Sequence, residues 1–105
     1  MYARVTQIEI DTLRIRVDDA LETFRSEVLP HLRELPGFAG VVVLTTPEGR
    51  GLLVGLWETE EAAEAGSETG FYAETLARYV TLFRSPPGRE RYEVALAEAP
   101  ALSIG

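Results

Sequence analysis

The residues able to do chemistry in this chain are few. It has one His (His31), one Gln (Gln7), one Trp (Trp57) and four Tyr, and no Cys, Lys or Asn, so all ten basic residues are Arg. Without Cys there is no disulfide frame, thiolate nucleophile, iron–sulfur cluster or Cys zinc site, and a lone His excludes a multi-His metal site. Without Lys there is no Schiff-base chemistry and no P-loop. Glu58, Glu60, Glu61, Glu64, Glu68 and Glu74 have no basic residue among them. Their spacing is that of a solvated helix face that complements the helix dipole, and no Asp-x-Asp-x-Asp-Gly loop accompanies them, so no metal site is expected. Arg14 and Arg16 fit either a pocket mouth that attracts an anion or, more simply, surface salt bridges.

The frame that positions these residues is small. At 105 residues, 46% hydrophobic and 26% charged, the chain reads as one domain, with a core over about 3–97 and a short tail, 98–105. A large enclosed cavity within one subunit is not expected at this size. The net charge of −7 with no basic run argues against nucleic acid and anionic membranes, which are held through Lys and Arg. There is no basic segment leading into an apolar one at the start, and no apolar run approaches the ~20 residues that cross a bilayer. A cytoplasmic protein is expected.

Hydrophobic spacing gives the elements. Residues 3–10 are rich in β-branched side chains and alternate, with Tyr2, Arg4, Thr6, Ile8 and Ile10 on one face and Ala3, Val5, Gln7 and Glu9 on the other, which predicts a strand that either ends or bends through the alternating Leu13 to Val17. Asp18 and Asp19, with Glu22 as a capping-box partner, predict the start of a helix over about 19–35 carrying Leu21, Phe24, Val28, Leu32 and Leu35 on one side. Pro30 should kink it, and Pro36-Gly37 should stop it. Phe38 to Thr46 and Leu52 to Glu58 form a hairpin about Pro47 to Gly51. Thr59 caps a short helix that Gly66 and Gly70 interrupt. A second helical run, about 71–84, lines up Tyr72, Leu76, Tyr79, Val80 and Phe83, and Arg91 to Ala97 is a last strand.

This order, β-α-β-β-α-β, is the α+β ferredoxin-like pattern, a four-stranded antiparallel sheet with two helices on one face. Both faces of the hairpin are apolar. Val41 and Val43 point one way and Val42 and Leu44 the other, and Leu52, Val54 and Leu56 oppose Leu53 and Trp57. Two helices cover only one face, and an uncovered antiparallel face normally carries polar residues at every second position. Each Val or Leu left exposed forgoes about 1.5–3 kcal/mol of burial. A homodimer packed sheet to sheet is therefore expected.

Leu35-Pro36-Gly37-Phe38 with Gly40, and Gly55-Leu56-Trp57-Glu58-Thr59-Glu60-Glu61-Ala62, set in this element order from about residue 3 to 97, make the chain resemble the antibiotic biosynthesis monooxygenase (ABM) family of dimeric α/β barrels. Both motifs also have structural uses, ending one element and starting the next. The family includes cofactor-independent oxygenases of polycyclic phenols and quinols, and haem-degrading relatives built around an Asn, a Trp and a His. The haem chemistry does not carry over, because the chain has no Asn, no His between Gly70 and Arg84, and a Trp57 placed earlier than the haem-site Trp.

The resemblance implies an oxygenase with no bound cofactor, whose substrate supplies the electrons while the protein helps remove a phenolic proton and stabilises the anion. The catalytic candidates are Tyr72 as a hydrogen-bond donor, Trp57 as a stacking wall, Gln7 as a polar handle and His31 as a base. Trp57, Tyr72, Leu76, Tyr79 and Phe24 are the candidate ligand-binding set for a small apolar or aromatic molecule. Each also has a plainer reading. Trp57 serves equally as a packing anchor, the tyrosines as a core stripe, His31 as a surface residue and Gln7 as an ordinary strand residue. The competing function is a ligand-binding or structural homodimer of the same fold without catalysis.

Overall fold

The computed structural model describes residues 1–68, 79–83 and 90–98. Strand β1 (Tyr2–Ile10) leads into one helical segment made of α1 (Val17–Thr23), a π turn (Phe24–Val28) and α2 (Leu29–Glu34). Strands β2 (Phe38–Thr45) and β3 (Arg50–Trp57), helix α3 (Glu60–Glu68), and strands β4 (Val80–Phe83) and β5 (Arg91–Glu93) follow. The strands form one antiparallel sheet in the order β2-β3-β1-β4, with β5 also on β1. The helices pack on one face of it, so the ferredoxin-like architecture expected from the spacing is the one observed. The core lies between them, built from Ile8, Ile10 and Val80 of the sheet, Trp57 at its end, and Ala20, Phe24, Val28, Leu32 and Ala63 of the helices.

The helical segment departs from expectation at both ends of its logic. It begins at Val17, with Arg16 at the cap and no side-chain cap bond, so Asp18 and Asp19 lie inside the first turn, where they act on the helix dipole instead of capping. Glu22 pairs with Arg25 at 3.3 Å and not with the helix start. The chain before it is a turn and not a strand. The Asp11 carboxylate accepts from the Leu13 amide at 3.1 Å, and its carbonyl accepts from Arg14 and Ile15, which ends β1 at Ile10. Pro30 does its work one turn earlier than a kink would suggest. It has no N–H for the Ser26 carbonyl, and the Leu29 amide reaches back five residues to Phe24. The hydroxyls of Thr23 and Ser26 donate to the carbonyls of Asp19 and Glu22.

This wide turn has a packing consequence. Ala20, Phe24, Val28 and Leu32 are buried at steps of four, each of which overshoots a full α-helical turn by about 40°. The π turn winds more slowly and keeps all four on the sheet.

The far edge of the sheet differs most. Val80–Phe83, expected as helix, is strand β4, with Val80 opposite Ile10 and Leu82 opposite Ile8. β-branched and aromatic residues prefer this pleated setting; Val80 is buried and Thr81 exposed, the alternation of a half-covered strand. The rest of that expected helix, 71–78, lies outside the described residues. β5 pairs with Tyr2–Arg4 while β4 pairs with Gln7–Ile10, so two short strands in line replace the single fourth strand. The last strand was expected to reach Ala97 but ends at Glu93, because Glu93 already faces Tyr2. Just beyond it the Val94 amide donates to the Met1 carbonyl at 2.9 Å.

Candidate ligand cleft between the helices and the sheet

Register assigns every strand residue to a face. Opposed residues of an antiparallel pair share a side, so Arg4 opposite Gly55, Thr6 opposite Leu53 and Tyr2 opposite Trp57 all point the way Ile8 and Ile10 do, toward the helices. Between this row and the helices lies a cleft lined by Arg4, Thr6, Leu32, Phe38, Leu53 and Trp57 among others. Its interior is about 30 Å³ and its full extent, open mouth included, about 400 Å³. A second, apolar hollow of about 20 Å³ beside it is bounded by Phe24, Leu21, Val43 and Val80, and shares Leu53.

Trp57 is the main wall. Only 4% of it is exposed, and its ring meets Phe38 edge-on, with centroids 5.4 Å apart and planes at 75°, the geometry that aromatic quadrupoles favour. The indole fits because two neighbours lack side chains. A methyl at Gly55 would come 3.1 Å from Nε1, and one at Gly66 2.2 Å from the ring. Gly66 was expected to interrupt the helix but lies within α3, where it makes room for Trp57. Gly37 brings α3 this close. Its φ of +78° suits glycine, and a methyl there would stand 2.5 Å from the Ala62 methyl. As expected, Thr59 caps α3, its hydroxyl oxygen accepting from the Ala62 amide at 3.1 Å. Arg91 ties β5 to α3 through Glu60 at 3.2 Å and through Glu64, so these two glutamates hold a partner instead of forming only a solvated face.

Of the residues singled out in the sequence, Trp57 lines the cleft. Phe24 lines the second hollow. Gln7 is exposed on the opposite face of the sheet, across from Leu52 and Phe83. His31 is exposed on α2 beside the cleft-lining Leu32. Tyr79 is also exposed, its carbonyl accepting from the Asp11 amide at 2.7 Å. Tyr72 and Leu76 lie outside the described residues. Arg4 and Thr6 are the polar side chains that the sequence reading passed over as site residues. The signal was present, since alternation already set a charge and a hydroxyl on the face of Ile8 and Ile10. No group of His, Asp and Glu able to hold a metal ion occurs among the described residues, nor is any helix there long and apolar enough to cross a membrane.

No protein-family model matches the chain. Over 97 residues it is 34% identical to the uncharacterized proteins Rv2558 and MT2635 of two Mycobacterium tuberculosis strains, covering 91% of this chain and 39% of either relative. The chain thus spans well under half the length of the curated relatives it matches. Solved structures align over almost all of it. The cofactor-independent oxygenase SnoaB of Streptomyces nogalater superposes with a TM-score of 0.67 at 13% identity, covering 91% of this chain and 94% of that one. The ActVA-Orf6 monooxygenase of Streptomyces coelicolor, in complex with nanaomycin D, gives 0.64 at 16% identity, with 95% and 92% covered. This chain has the antibiotic biosynthesis monooxygenase fold.

The heme degrader MhuD of Mycobacterium tuberculosis, with two hemes bound in its active site, shares this ABM fold at a TM-score of 0.59 and 20% identity, covering 94% of this chain and all of that one. The chain's one histidine is on the exposed side of α2 and lines no part of the cleft. What this version of the ABM fold does provide is an aromatic wall, an apolar floor and two polar side chains entering from β1.

Proposed function

We propose that this protein binds a small aromatic metabolite in the helix–sheet cleft and oxidises it as a cofactor-independent monooxygenase acting on a phenol or quinol. The observation that carries this reading is the edge-to-face Trp57–Phe38 wall, set in a cleft that opens to solvent and has polar groups at one side. The substrate supplies the electrons that reduce O2. One oxygen atom enters the substrate and the other leaves as water with two of the substrate's hydrogens. The protein's part is to hold the ring against Trp57, exclude water, and favour the phenolate by donating hydrogen bonds, for which the indole N–H and the Tyr72 hydroxyl are the proposed donors. The working unit is a homodimer closed through the open sheet face.

Oxygen uptake with a panel of quinols and phenols tests the activity. We expect consumption above the protein-free rate, lowered by about tenfold or more in Trp57→Phe, since displacing a bound ring by even 1 Å is costly; because shrinking this buried ring also lowers the melting temperature by several degrees, the rates are compared at a temperature where the variant is still folded. Binding without turnover is the second reading. It is favoured by the position of Gln7 and His31 outside the cleft, and ligand-dependent melting shifts with no oxygen consumed would establish it.

A further inference from the structure

Among the described residues that line the cleft, Arg4 is the one with a charged side chain. It is half-buried, and no described carboxylate forms an ion pair with it. Directly across the β1–β5 ladder stands Arg91. Like charges opposed across strands repel, and Arg91 is answered by Glu60 and Glu64 of α3, whereas no carboxylate among the described residues answers Arg4. Keeping an unpaired guanidinium in an apolar recess is costly unless an anion completes it. Thr6, two residues along the same face, adds a hydroxyl to the same cleft. The Trp57 and Phe38 rings, with Leu32, Val41 and Leu53, supply apolar lining around them.

We infer that the ligand of this cleft is an aromatic carboxylate, its ring against the Trp57–Phe38 wall and its carboxylate on Arg4 and Thr6. The planar fork of Arg matches the two oxygens of a carboxylate, and the Thr6 hydroxyl donates to the same group. This rests on the cleft being a ligand site and adds to it the anionic group that the ligand must carry. In the oxygenase reading, Arg4 is a binding residue that fixes the substrate's orientation away from the reacting ring.

The test is calorimetric titration of the protein with 2-naphthoate and with 2-naphthamide, which has the same shape and no charge. The acid should bind about tenfold tighter than the amide. Arg4→Gln should remove that preference, bringing the acid to the level of the amide while leaving amide binding within about twofold, and Arg4→Lys should keep part of it. Equal binding of acid and amide to the wild-type protein, or an undiminished preference in folded Arg4→Gln, overturns the inference and leaves the cleft a neutral aromatic site. Binding of neither probe overturns both the inference and the ligand site beneath it. The wild-type comparison decides the matter even if a variant fails to fold.

Discussion

Trp57 and Gly66 are coupled by space. The indole occupies the volume that any side chain at position 66 would need, since a methyl there would lie within 2.2–2.9 Å of three ring atoms. Gly66→Ala should therefore destabilise the protein by about 1–3 kcal/mol through overpacking, seen as a melting temperature lower by several degrees. Adding Trp57→Phe should recover part of that loss, because the smaller ring vacates the contested space. A double-mutant cycle with additive effects would show that the two do not compete. Trp57 was legible as an important residue because it is the lone Trp at the end of an alternating strand. The role of Gly66 was not, because a glycine that makes room for a distant ring looks in sequence like a glycine that breaks a helix.

The caps and turns divide by whether their partners are local. Thr59 was readable because an N-cap acts within three residues, and its bond to the Ala62 amide is as expected. Replacing it with Ala should cost about 1 kcal/mol and speed hydrogen exchange at the Ala62 amide. Asp19 and Glu22 have the same signature, yet the helix begins earlier, because Asp11 has already folded the chain into a turn that delivers Val17 to the sheet. Leu21, Phe24, Val28, Leu32 and Leu35 read as an ordinary helix that Pro30 should kink; the structure answers Pro30 with a π turn instead, because the missing N–H is met by widening the turn before it. Val80–Phe83 misled because Tyr79, Val80 and Phe83 continue the helical spacing of Tyr72 and Leu76. The choice between helix and strand was made by the hydrogen bonds that Gln7–Ile10 offered, which no local pattern contains.

The whole molecule has two unequal sides. One face of the sheet is covered by helices and holds the cleft. The other displays Val5, Val42, Leu44, Leu52, Val54, Leu56, Phe83 and Tyr92, with Leu44, Phe83 and Tyr92 about half exposed. The charges on this side, among the described strand residues, are Glu9 and Arg50, opposed to each other at one end. A second copy presenting the same apolar patch would cover it by a two-fold, self-complementary contact, which is the basis of the proposed dimer. Light scattering should give twice the chain mass, and Val54→Asp, a charge at the centre of the face, should yield monomers or a destabilised chain. A wild-type monomer at micromolar concentration would refute the dimer. This face was readable from sequence because alternation on both sides of a hairpin is a property of the strands themselves.

Strand β2 is at the rim of the sheet, paired with β3 on one side. Past the bulge between Phe38 and Gly40, it runs as Val41-Val42-Val43-Leu44-Thr45 without a charge or a proline. Its outer row of amides and carbonyls has no strand among the described residues to bond with. Such a segment is a template on which further chains can add, and the bulge skews only its first residues. Once heat or denaturant loosens the helices, this border favours growth into ordered aggregates over clean refolding. The length of time the protein survives stress is then set by how well its rim is guarded, separately from how tightly its core is packed.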